Sequence, residues 1–321
     1  MVVTEQTATL TERAAPESGA TPVDPRSLLG GLLRTARPRQ WVKNVLVLAA
    51  PFAAARLLTA PEAIRLAVVL ALFTACAAAV YLINDARDAD ADRAHPVKCL
   101  RPVASGRVPV PVAYAVGGLL AVLAPATAAV TCNADTAGLL CGYVVMQLAY
   151  CLWLKHMLVV DLVVVTSGFL MRAMAGGLAL GIGLSRWFLI TSGFGALFMV
   201  AAKRYSELVL MSQQADGEVG ATRALLGSYT IGYLRFVWQL AAGVAVLAYC
   251  LWALETGRAP GSWLPWRQLS MIPFILAVLR YAVFADAGSA GEPEDLMLRD
   301  RALLAIALAW GALYVLAVIN R

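Results

Sequence analysis

Asn84-Asp85-Ala86-Arg87-Asp88-Ala89-Asp90-Ala91-Asp92 closes an apolar run that begins near Ile64, and its reading decides both the fold class and the chemistry. If the helix before it continues, Asp85, Asp88 and Asp92 fall at i, i+3 and i+7 and share one face, with Asn84 beside them and Asp90 turned away. Three carboxylates converging at a membrane boundary repel one another and cost several kcal/mol unless a cation neutralises them, which predicts a bound divalent metal. Hard oxygen ligands suit Mg²⁺. Because Mg²⁺ keeps water and phosphate oxygens in its shell, the expected third party is a diphosphate. An acidic stretch in isolation is usually a solvated connector. Here Arg87, Arg93, Lys98, Arg101 and Arg107 interleave with or follow the carboxylates, as a site for both metal and phosphate requires.

Composition sets the surroundings of this stretch. Of 321 residues, 60% are hydrophobic and 14% charged, and the mean hydropathy is +0.72. Too few polar residues remain to coat a soluble globule, so the chain is expected to be an all-α, polytopic membrane bundle. The net charge of +6 fits cations in cytoplasmic loops. No basic run with interleaved aromatics appears, so nucleic acid is set aside as a partner. The six cysteines show neither a disulfide framework nor a zinc spacing.

Residues 1–27 are rich in Thr, Glu, Ala and Pro without an apolar period and are expected to form a disordered cytoplasmic tail, leaving 28–321 as one transmembrane catalytic domain. The segment Arg34 to Asn44 carries four cations ahead of the first apolar run, with Trp41 at headgroup depth. Apolar stretches at 44–60, 62–84, 109–130, 137–154, 157–179, 187–202, 231–254, 269–285 and 302–320 predict about nine spans. With the N-terminus inside, loops 85–108, 155–156, 203–230 and 286–301 fall in the cytoplasm and hold most of the loop Lys and Arg. Arg186, Arg258 and Arg267 lie opposite. This places the Asp cluster on the cytoplasmic side of a multi-pass protein of the plasma (inner) membrane.

Two further polar sets stand out. Tyr150, Lys155, His156, Asp161, Thr166 and Arg172 lie on the fourth and fifth spans, and the eleven-residue spacing of Asp161 and Arg172 predicts nearly the same helical face. Ionisable residues in apolar spans face the bundle interior and read as functional, the plain alternative for Arg172 being an ion pair between helices. Lys203-Arg204-Tyr205-Ser206-Glu207 follows the sixth span, and its cations are either anchors or phosphate ligands. Lys203 and Glu207 are four apart on one face. Arg223, Tyr229 and Tyr233 are expected near the mouth of the site, while His95 reads as a loop residue.

The pattern Asn-Asp-x-x-Asp-x-x-x-Asp after the second span resembles the UbiA superfamily of intramembrane prenyltransferases over roughly residues 34–320. Arg37 through Asn44, Asn84 through Pro96, Arg101-Pro102 with Ser105-Gly106, and Ala202 through Tyr205 look like its decaprenyl-phosphate phosphoribosyltransferase branch. That resemblance implies a UbiA-like bundle, a phosphoribosyl diphosphate donor, a polyprenyl phosphate acceptor and a product used in cell-wall arabinan synthesis. Where typical prenyl-diphosphate users carry a second Asp-rich motif, this chain has Lys203 to Glu207, a cationic substitute suited to an additional phosphate. The resemblance implies Asp85, Asp88 and Asp92 as Mg²⁺ ligands, with Asp161 acting beside them. Lys43, Asn84, Arg101, Tyr150, Lys155, Arg172, Lys203, Arg204, Tyr205 and Glu207 become substrate-binding residues, with Arg37 and Arg39 as further phosphate partners. Two alternatives stand beside it, a prenyltransferase acting on an aromatic acceptor and a solute transporter. A homo-oligomer is left open.

Overall fold

The structure, a computed structural model, describes residues 25–54, 57–213, 228–255, 264–291, 296 and 299–319. Residues 1–24 of the expected tail and Arg223 lie outside the described residues. Helices run in the order α1 (Pro25–Thr35), a 3-10 helix (Pro38–Leu48), α2 (Ala49–Ala53), α3 (Ala60–Arg87), α4 (Ala89–Arg93), α5 (Val110–Thr131) and α6 (Ala134–Leu152). After them come α7 (Val160–Ala179), α8 (Arg186–Gln213), α9 (Ile231–Glu255), α10 (Trp266–Leu269), α11 (Met271–Asp286) and α12 (Arg301–Ile319). No strand occurs among the described residues.

Six of these are long and apolar enough to cross a membrane: α3, α5, α6, α7, α9 and the α10–α11 pair. Large apolar side chains stay exposed along them and their neighbours, such as Val122 at 68%, Val130 at 88% and Leu308 at 67%. So much apolar surface is tolerable only against lipid, and the chain is a multi-pass membrane protein.

The expected first span, 44–60, is not one long α-helix. Pro38 and Pro51 lack the amide protons a continuous helix would use, and the stretch folds as the 3-10 helix followed by five-residue α2. Close packing against α7 holds it. A Cβ on Gly176 would lie 2.0 Å from the Val47 carbonyl oxygen and one on Gly177 2.9 Å from Ala50 Cβ. Only glycine lets these backbones approach so closely.

Helix α3 starts at a capping box, in which the Glu62 carboxylate accepts from the Thr59 N–H at 2.9 Å. It runs 28 residues to Arg87, where Asp88 bends the backbone (φ −86, ψ 6) before α4 resumes the turn. The Asp stretch is therefore a kinked helix end. Three apolar clusters hold the bundle: Phe73, Leu140 and Tyr143 among α3, α5, α6 and α7; Phe198, Leu234 and Tyr281 among α7, α8, α9 and α11; and Leu82, Val103 and Val108 beneath α4.

Four connectors meet at one end of the bundle. Arg87 Nη1 donates to the Cys151 carbonyl, the Val159 N–H to Tyr229 Oη (2.9 Å), and the Ala290 N–H to Ser206 Oγ (3.0 Å). The expected grouping of loops 85–108 and 155–156 with the described parts of 203–230 and of 286–301 is thus a physical one.

Candidate active site

The carboxylates of the Asp stretch are buried and already neutralised. Asp85 is 2% and Asp92 4% exposed. Arg101 Nη1 donates to Asp92 Oδ2 at 2.7 Å and lies 3.3 Å from Asp85 Oδ1, which also accepts from Arg37 Nη2 at 2.8 Å. Two buried carboxylates and two half-buried guanidiniums thus form a chain of charge-assisted bonds. Arg101 is presented by a tight turn closed by the Val108 N–H donating to the Pro102 carbonyl, with Gly106 in the left-handed region (φ 78). Arg37 also has positive φ (54), directly before Pro38, where a non-glycine residue is disfavoured twice over. That strained backbone aims its guanidinium at Asp85 and over the Tyr81 ring, 4.5 Å from the centroid. Such strain persists where surrounding contacts demand it.

Asp88 is half-buried at the kink, and Asn84 is half-buried beside it. The expected convergence of three carboxylates is not what the structure has: among the described residues, no three Asp, Glu, His or Cys side chains gather to hold an ion. The bend at Asp88 breaks the ideal i, i+3, i+7 face, and the arginines take the neutralising role expected of a metal alone. The donor set still fits Mg²⁺. Asp85 and Asp92 converge on one cationic nitrogen, and Mg²⁺ is held by one or two carboxylates when phosphate oxygens complete its shell.

A second charged centre sits where α7 begins. Asp161, 4% exposed, accepts from Tyr150 Oη at 2.5 Å and from Arg204 through Nε and Nη2, both at 3.2 Å. Arg204, itself 6% exposed, sends Nη1 to Glu207 Oε2 at 3.3 Å. This side-on fork fixes the guanidinium plane as lysine could not. Tyr205 is buried, its hydroxyl accepting from Arg235 Nη2 at 2.6 Å. Val159, a β-branched residue at φ 66, starts α7 and donates its N–H to Tyr229. Burial pushes the Tyr229 hydroxyl above the ordinary tyrosine range.

The end of α6 touches both regions: Tyr150 bonds Asp161, while the Cys151 carbonyl accepts from Arg87 and Cys151 lies within electrostatic range of Lys155, Asp88 and Arg37. Lys43, Lys155 and Lys203 are all half-buried. Lys155 follows the end of α6 within electrostatic range of Cys151, and Lys203 precedes Arg204 in the chain. His95 is a loop residue as expected, its Nδ1 accepting from the Val97 and Lys98 N–H groups.

Arg172 does not belong to this site. Although 8% exposed, it donates to Asn44 Oδ1 (2.9 Å), the Gly168 carbonyl (2.7 Å) and Tyr143 Oη (2.8 Å), among the rings of Phe73, Tyr143 and Phe169. Eleven residues of helix carry it about 16 Å from Asp161, and Arg172 ties the 3-10 segment to α6 and α7. Neither phosphate ligation nor an ion pair between helices describes it. Sequence reasoning gave Arg37 only a phosphate and missed Arg235. The left-handed turn before Pro38 leaves no mark in composition, and Arg235 reads as one more interfacial cation.

A family model described as the UbiA prenyltransferase family matches residues 45–307. The chain belongs to that family. This UbiA-family chain is 50% identical over 290 residues to a Mycobacterium tuberculosis protein named decaprenyl-phosphate phosphoribosyltransferase, covering 89% of this chain and 93% of that one. A Mycolicibacterium smegmatis protein of the same name is 47% identical over 311 residues (94% and 95%), and one from Corynebacterium glutamicum 44% over 299 residues (92% and 88%). The fold is similar to a UbiA homologue from Archaeoglobus fulgidus bound to DMAPP and Mg²⁺, with a TM-score of 0.66 at 16% identity over 90% of this chain and 98% of that one.

Proposed function

We propose that this chain transfers the 5-phosphoribosyl group of phosphoribosyl diphosphate to decaprenyl phosphate, releasing diphosphate. The observation that carries the reading is a pair of charged centres at one end of the bundle, the Asp85–Arg101–Asp92 chain with Arg37 and the Arg204 guanidinium held by Asp161 and Glu207, with Lys203 next to it in sequence. One part suits a diphosphate on a cation, the other the further phosphates that this donor and acceptor bring. The names of the near-full-length relatives point the same way.

Asp85 and Asp92, with Asp88 at the kink, would hold Mg²⁺, whose charge stabilises a departing diphosphate. Arg37 and Arg101 then turn from the carboxylates to phosphate oxygens. Arg204, oriented by Asp161 and Tyr150, receives a second phosphate, helped by Lys155 and Lys203; Lys43 and Asn84 flank the donor. As the C1 bond to diphosphate breaks, a lipid phosphate oxygen bonds to C1 from the opposite face with inversion. That oxygen is ionised at neutral pH, so no general base is required. Positioning and electrostatics do the catalysis.

The orientation that suits this chemistry has the charged end in the cytoplasm of a plasma-membrane protein, serving cell-wall arabinan synthesis. Nine crossings remain the reading. The 3-10 helix rises about 22 Å and α2 about 7 Å, together near the thickness of the hydrocarbon core; α8 and α12 supply the other two crossings beyond the six. In membranes containing the protein, label from radioactive phosphoribosyl diphosphate should enter the organic phase only with decaprenyl phosphate and Mg²⁺. Isoprenyl transfer to an aromatic acid, without labelled lipid, would replace this reading with aromatic prenylation.

A further inference from the structure

At the end of the bundle away from the charged site lies a cavity of about 250 Å³, lined chiefly by Phe52, Tyr249, Trp252, Phe274, Trp310 and Tyr314. Trp187 and Phe188 bound it at the start of α8. Arg204 lies seventeen residues further along that helix, so the two sites are about 25 Å apart. Aromatic side chains bring polar atoms, yet here these are engaged with protein. Tyr249 Oη bonds Ser270 Oγ (2.8 Å) and Trp310 Nε1 (2.7 Å), Tyr314 Oη donates to the Ala53 carbonyl, and Trp187 Nε1 donates to Glu255. The cavity therefore shows a ligand mainly ring faces and methyl groups, with the hydroxyl side chains of Ser185, Thr191 and Ser192 on its α8 side. A polar metabolite would lose most of its hydration for few polar partners, whereas a hydrocarbon gains from every area it covers.

Ser192 lines the cavity, and Gly195, one turn nearer Arg204, has no atom within 4 Å of where a Cβ would stand.

Resting on the reading that the acceptor is a long polyprenyl phosphate, we infer that this cavity holds the distal isoprene units of the acceptor while its phosphate lies at Arg204. An extended chain of ten isoprene units is longer than the roughly 30 Å hydrocarbon core is thick, so an acceptor fixed at one end of the bundle has chain to place at the other. The cavity is smaller than the usual several hundred Å³ of a whole-ligand pocket. It suits an end segment. It thus selects for acceptor length, separately from the chemistry at C1.

The test uses a decaprenyl phosphate analogue with a diazirine on its terminal isoprene unit, photolysed with the full-length wild-type protein in nanodiscs and followed by peptide mapping. Adducts on Phe52, Trp252 or Tyr314, displaced by unlabelled decaprenyl phosphate but not by a two-unit prenyl phosphate, are expected. Adducts confined to lipid-facing residues of α5 or α9 would overturn the proposal. Kinetics give the second arm: Ser192→Phe should lower kcat/KM for decaprenyl phosphate by about tenfold or more and leave the two-unit acceptor within about twofold. Equal effects on both acceptors would also overturn it. Cross-linking in the cavity without phosphoribosyl transfer would sink the reaction and leave the lipid subsite standing. Transfer with cross-links elsewhere would do the reverse.

Discussion

Arg101 places one guanidinium nitrogen 2.7 Å from Asp92 and 3.3 Å from Asp85, so two carboxylates that are each more than nine-tenths buried share a single arginine. An arginine is standing at the point where a substrate-bound cation would be useful. Arg101→Ala leaves the two carboxylates facing each other with only Arg37 nearby. Such a variant should melt several degrees lower in detergent and lose about a hundredfold or more in transfer rate. Millimolar Mg²⁺ should raise its melting temperature more than that of wild type, because the ion replaces the missing charge. Equal Mg²⁺ responses in the two proteins would contradict the shared site.

Asp161 and Arg204 make a planar fork that depends on both partners. Asp161→Asn should reduce transfer by about 10²- to 10³-fold, and Arg204→Lys should not restore the geometry. Tyr150→Phe removes one hydrogen bond to the same carboxylate and should cost about tenfold. Initial rates at matched amounts of folded protein check all three. A Tyr150→Phe loss as large as that of Asp161→Asn would mean that the tyrosine does more than orient.

Arg172 is a buried cation whose bonds are to neutral groups. Arg172→Ala strands Asn44 and Tyr143, so the cost falls on stability, about 2 kcal/mol or more. The KM values of donor and acceptor, measured on the folded fraction, should stay within about threefold. A selective rise in the donor KM would return Arg172 to phosphate binding.

Gly176→Ala drives a methyl group into the Val47 carbonyl, from which its Cβ would stand 2.0 Å away. Backbone must move, and a loss of about 3 kcal/mol or more is expected from overpacking. Gly138→Ala on α6 meets nothing within 4 Å and should be neutral or slightly stabilising, since alanine is the better helix former. Thermal melts of the two variants read the contrast.

Much of this candidate site is legible in the sequence. Asp85, Asp92, Asp161 and Arg204 announced themselves as ionisable residues at the ends of apolar runs, and the loops expected to share a side do meet. What sequence could not show was conformational. The bend at Asp88 and the left-handed turn at Arg37 decide which carboxylate meets which arginine, and both depend on packing against residues far along the chain. Arg172 misled for a related reason: helical spacing placed it on the face of Asp161, but its partners come from the 3-10 segment and α6, whose positions periodicity does not give. The 44–60 stretch had the length of a span, while its prolines imposed a different helix.

The central claim is that the Asp85–Arg101–Asp92 chain holds the donor's diphosphate. It is tested most directly by the initial rate of label transfer from phosphoribosyl diphosphate into decaprenyl phosphate by wild type and Asp85→Asn, at equal folded protein and across a Mg²⁺ titration. The account predicts Mg²⁺-dependent labelled lipid from wild type and a loss of about a thousandfold or more in the variant at every Mg²⁺ concentration. Near-normal transfer by Asp85→Asn would contradict it.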